Sequence, residues 1–172
     1  AVLNPGDVAL LLDPGYPSHA GGVYLAGGTI YPMPILAENQ FLPILSDIPA
    51  DVLAKARMMV LSYPHNPTTA SAPLSFLQEA AALCQRHNIV LVHDFPYADL
   101  YFEGEPVPSV LQAEQAKSVS IEFFTLSKSY NMGGFRVGYA IGNAQLIKAL
   151  RQVKATVDFN QYRGILRGAI AA

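Results

Sequence analysis

The sequence predicts an α/β fold built on a mostly parallel sheet, and three observations carry that prediction. Short apolar runs alternate along the chain with segments of helical periodicity. The runs are apolar almost throughout rather than at every second position, which suits strands covered on both faces. Charged residues make up 14% and hydrophobic residues 51% of the 172 residues, against about a quarter charged in an ordinary globular domain. Finally, four polar clusters, at positions 13–19, 63–68, 94–97 and 125–136, each lie just after one of the strand runs. In open parallel sheets ligands gather outside the carboxyl ends of the strands, so these clusters converge on one site.

The elements follow in order. Val8 to Leu12 reads as a buried strand, closed by the turn residues Asp13-Pro14-Gly15. A helix from His19 to Leu25 stops at Gly27-Gly28, and Thr29 to Ile35 forms a second strand. Pro32 and Pro34 lack a backbone donor and place that strand at an edge. Asp47 to Ala56 suits a short helix capped by Ser46 or Asp47. Met58 to Ser62 is the third strand. Pro73 opens a helix with Leu74, Leu77, Ala81 and Cys84 on one face, and Asn88 stands at its C-cap. Ile89 to Val92, Val119 to Phe124 and Val137 to Ile141 are the fourth, fifth and sixth strands. Asn143 caps a helix carrying Leu146, Ile147, Leu150 and Val153, and Asp158 to Ala172 begins another.

Composition bounds the function. A net charge of -2 gives no basic footprint for nucleic acid. No apolar run approaches membrane-spanning length, so no membrane partner is expected. Cys84 is the only cysteine, which excludes an internal disulfide and fits a reducing, cytoplasmic setting. It lies on an apolar helix face and reads as a buried thiol rather than a nucleophile. His65, His87 and His93 show no metal-ligand spacing with cysteines or carboxylates, so no metal is expected. With no initiating Met at Ala1 and an uncapped helix at Ala172, the chain reads as a fragment of a longer protein.

The richest stretch is Thr125-Leu126-Ser127-Lys128-Ser129-Tyr130-Asn131-Met132-Gly133-Gly134-Phe135-Arg136. A lysine at the end of a buried strand, in a partly dry place, can attack a carbonyl. Hydroxyls beside it and a guanidinium eight residues on can hold a phosphate of the same ligand, because arginine matches phosphate oxygens with parallel hydrogen bonds. Asp94 ends the run Ile89 to Val92, which puts a carboxylate at the sheet's rim where it needs a partner.

These motifs together resemble the class I/II (fold type I) aminotransferases. Their Schiff-base lysine lies in a Ser/Thr-x-Ser/Thr-Lys segment followed by a glycine-containing loop and Arg-x-Gly. The resemblance spans essentially the whole chain and is similar in wording to the aspartate, alanine and diaminopimelate branch. It implies a three-layer αβα fold in which residues 1–172 are the large domain binding pyridoxal 5'-phosphate, with the small domain absent. Lys128 would bear the cofactor, Thr125, Ser127 and Arg136 would hold its phosphate, and Asp94 would face the ring nitrogen. Tyr97 and Asn66, the latter in Asn66-Pro67-Thr68, would contact the ring oxygen. Tyr16 would stack on the ring, and His19 would hydrogen-bond Asp94. The implied reaction moves an amino group between an amino acid and a 2-oxo acid, in a homodimer with its active site at the interface. The fragment alone would be inactive. Neither Arg151, Arg163 nor Arg167 matches the family's substrate-carboxylate arginine.

Two other readings share these residues. One is different chemistry on the same scaffold, a carbon–sulfur β-lyase or a cyclopropane-carboxylate synthase. The other is a non-catalytic ligand-binding domain of a regulator. A dinucleotide-binding domain is not supported, because no G-x-G-x-x-G follows the first strand.

Overall fold

The computed structural model describes residues 1–102, 104 and 106–172. Six strands form one sheet in the order β2-β1-β3-β4-β5-β6. They are β1 (Val8–Asp13), β2 (Thr29–Pro34), β3 (Ala56–Leu61), β4 (Val90–Asp94), β5 (Ser120–Thr125) and β6 (Gly138–Gly142). The first five run parallel, and β6 pairs antiparallel to β5 with Thr125 opposite Gly138. β2 takes the edge, as its prolines require. At Gly138 a Cβ would sit 2.5 Å from the Phe124 carbonyl oxygen, so only glycine lets β6 approach β5 there.

Helices α1 (Pro17–Leu25), α2 (Ala50–Lys55), α3 (Leu74–His87), α4 (Leu126–Ser129), α5 (Ala144–Val157) and α6 (Arg163–Ala171) connect and flank the strands. The main core lies on one face of the sheet, where Leu10, Met59, Leu61 and Leu91 meet Leu53 of α2 and Phe76, Leu77, Ala80 and Cys84 of α3. Full burial of each large apolar side chain contributes about 1.5–3 kcal/mol. Asn88 ends α3 in the left-handed conformation, φ 53°, with its N–H returned to the carbonyls of Cys84 and Gln85.

The second face carries a smaller cluster, Ala9, Leu11, Val23 and Val60. Between α1 and α5 it opens into an apolar trough of about 370 Å³, floored by Met58, Val60, Val92 and Phe123. Helices thus lie on both faces of the sheet, with the larger core on the first face.

Two expectations change. The helix expected from Asp47 to Ala56 starts at Ala50, because Leu45–Asp47 form a separate tight turn and Pro49 takes the N-cap without a side-chain bond. Leu74 is exposed, and the buried face of α3 instead includes Phe76, Ala80 and Leu83. Asn143 caps α5 as expected, and the apolar side of that helix is half-buried at Leu146, Ile147 and Leu150 and exposed at Val153. No helix among the described residues is long and apolar enough to cross a membrane.

Candidate active site

Parallel pairing puts the ends of β1, β3, β4 and β5 at one rim, and the loops leaving them enclose a cavity of about 400 Å³. Its lining includes Tyr16, Asn66, Asp94, Tyr97, Thr125, Ser127, Lys128 and Arg136. Eight of the nine residues singled out from the sequence therefore meet in one place. The ninth, His19, stands behind Asp94, with its Nε2 2.9 Å from the carboxylate Oδ2. Tyr16 packs edge-on against the His19 ring at 5.7 Å between centroids.

Local structure fixes each position. Asp94 is the last residue of β4, and its side chain keeps 29% of its surface exposed. The Phe95 N–H donates to the Phe123 carbonyl, which holds the Asp94–Tyr97 turn against β5. Thr125 ends β5 and caps the single turn of α4, where its Oγ1 accepts the Ser127 N–H at 3.1 Å. That turn raises Lys128 with its Nζ 5.7 Å from the centre of the Tyr97 ring, a cation over an aromatic face. Lys128 is exposed at the open side of the cavity, a correction to the partly dry setting expected for it.

Arg136 donates from Nη1 to the Gly133 carbonyl at 2.9 Å, which folds its guanidinium toward the α4 turn. Its backbone lies in the left-handed region, φ 54°. A non-glycine residue held there stores about 1–3 kcal/mol of strain, a cost that clusters at functional positions.

The lining combines a carboxylate that has an imidazole partner with an ammonium, a guanidinium and two hydroxyls. Such a lining suits a ligand that carries both a protonated ring and a phosphate. Beside it lies a larger hollow of about 950 Å³ that shares Asn66 and Tyr97. Prolines and aromatics dominate its described walls, whereas Asp94, Lys128 and Arg136 line the smaller cavity. Among the described residues no group of three or more His, Cys, Asp or Glu is placed to hold a metal ion.

His65 is buried beside Asn66, with Nδ1 2.9 Å from the Thr68 hydroxyl. Burial pushes its imidazole below the ordinary histidine range. Sequence reasoning did not assign Ser62 or Pro96 to the site, yet both line it. Ser62 follows β3 directly, so its place after a buried strand was the available signal.

Comparison with known proteins follows the same outline. Residues 1–170 match the family described as aminotransferase class I and II. The LL-diaminopimelate aminotransferase 2 of a Nostoc species is 49% identical over all 172 residues, which make up 44% of that relative. An aminotransferase structure from Staphylococcus aureus superposes with a TM-score of 0.95 at 38% identity, over 99% of this chain and 45% of that one. A probable N-succinyldiaminopimelate aminotransferase from Thermus thermophilus gives 0.91 at 39%, over 96% and 44%. The chain thus spans less than half the length of the curated relatives it matches.

Proposed function

The chain belongs to the class I and II aminotransferase family, and from that premise we propose that it is the large, cofactor-binding domain of a pyridoxal-phosphate-dependent aminotransferase. The observation that carries the reading is the single cavity that Asp94, Lys128, Ser127, Thr125 and Arg136 line together. Those donors fit pyridoxal 5'-phosphate group by group. When bound, the cofactor supplies an electron sink for the carbon that carries the amino group.

The chain's own residues do the rest. The Asp94 carboxylate, held by His19, would face the ring nitrogen and favour its protonated form. Tyr97 and Asn66 would serve the ring oxygen, and Tyr16 would offer its ring to the cofactor's face. Thr125, Ser127 and Arg136 would hold the phosphate and so position the ring. Lys128 would bear the cofactor, and its amine would move a proton at the substrate carbon as general base and acid.

The substrates on this reading are an amino acid and a 2-oxo acid. The relatives' names point to LL-diaminopimelate as the amino donor. The working protein is a cytoplasmic homodimer whose second subunit helps to close the site. The test is a product assay on the full-length protein loaded with pyridoxal phosphate. LL-diaminopimelate with 2-oxoglutarate should yield glutamate, and Lys128→Ala should abolish that product. Pyruvate and ammonia released from a sulfur amino acid, with no glutamate formed, would instead assign the β-lyase chemistry.

A further inference from the structure

Directly beneath the candidate site lies a polar cluster that the proposed chemistry does not use. His93 of β4 and Glu122 of β5 are both fully buried, with Nδ1 and Oε1 2.6 Å apart. Glu122 also accepts the Ser109 hydroxyl at 2.6 Å and the Val110 N–H at 3.0 Å. The other ring nitrogen of His93 lies 3.2 Å from the Tyr63 carbonyl oxygen. With donors converging on Glu122 and acceptors at both His93 nitrogens, the pattern is satisfied by an imidazolium against a carboxylate.

Burying such a pair adds little net stability, because desolvation offsets the attraction. Its connections give it another use. The Phe95 ring stacks on His93 at 4.7 Å, two residues before Tyr97. Ser109 and Val110 lie further along the same connection, where Ser109 also caps the following turn. Tyr63 begins the loop that carries Asn66. One buried pair therefore touches the Phe95 ring near Tyr97, the Ser109–Val110 segment of the same connection and the base of the Asn66 loop.

We propose that His93 and Glu122 are positioning residues that set Tyr97 and Asn66 against the ring-oxygen side of the site, leaving the phosphate side to Thr125, Ser127 and Arg136. This rests on the cofactor reading above. Side chains behind a site commonly change ligand affinity or activity by about ten- to a hundredfold when altered.

The test uses the full-length protein and Glu122→Gln, which keeps the shape and removes the charge. The absorbance of bound pyridoxal phosphate should shift, and its affinity, titrated into cofactor-free protein, should weaken about tenfold. The affinity for inorganic phosphate should stay within about twofold, since its contacts lie elsewhere. Ser109→Ala, which removes one hydroxyl, should move the same two readouts in the same direction and carries the test if Glu122→Gln does not fold. A lowered melting temperature with unchanged absorbance and affinity would make the pair merely structural and overturn the proposal. Equal loss of phosphate and cofactor affinity would overturn it as well. A wild-type protein that binds no pyridoxal phosphate would overturn the proposed function first, and this inference with it.

Discussion

At the residue scale, Asp94 and Cys84 show how burial and partners separate a working group from an inert one. Asp94 keeps access to the cavity and has His19 at 2.9 Å. If it holds a ring nitrogen, Asp94→Ala should slow turnover of the full-length enzyme by far more than tenfold. A loss smaller than that, about 1.4 kcal/mol, would assign the carboxylate to turn capping instead. Cys84 is fully buried, with its thiol 3.9 Å from the Met59 sulfur, and burial pushes the thiol up to about 12. Only the thiolate reacts, so a disulfide reagent at neutral pH should label the protein only after unfolding. Rapid stoichiometric labelling of the native protein would contradict that placement. Both placements were legible in the sequence, because a strand-end carboxylate and a helix-face cysteine are set by local pattern.

At the element scale, periodicity located most strands and helices, and misses came where neighbours decide the outcome. The expected Asp47 cap failed because the chain makes a separate turn at Leu45–Asp47 before Pro49 opens α2. The run Val119 to Phe124 read as apolar, yet its Ser120 and Glu122 are fully buried. A lone acid inside a strand run was the signal for a buried partner, and only the fold shows that the partner is His93. Asn143 was read correctly. Its Oδ1 accepts from the N–H groups of Gln145 and Leu146, and its Nδ2 donates to the Ser118 carbonyl. Asn143→Ala should destabilise the protein by about 1 kcal/mol, read as a lower denaturant midpoint with an unchanged slope. No change in the midpoint would mean that α5 contributes nothing to cooperative unfolding.

At the scale of the whole molecule, the parallel order of β1, β3, β4 and β5 gathers residues as distant as Tyr16 and Arg136 into one cavity. That convergence was legible because each polar cluster follows a strand run, and parallel strands put such positions on one rim. How closely α5 packs on the second face was not legible. The α5 sequence carries an apolar stripe, but its pattern does not say whether another element lies against it. Removing pyridoxal phosphate from the full-length enzyme with a carbonyl-trapping amine should abolish transamination, and adding it back should restore activity. Full activity in the cofactor-free protein would refute the cofactor assignment for the molecule as a whole.

The most direct test of the central claim is borohydride reduction of the full-length protein with bound pyridoxal phosphate, followed by peptide mapping. Reduction should remove a near-visible absorbance band and leave the label on Lys128 alone. No band, or a label scattered over Lys55, Lys117, Lys148 and Lys154, would contradict that claim.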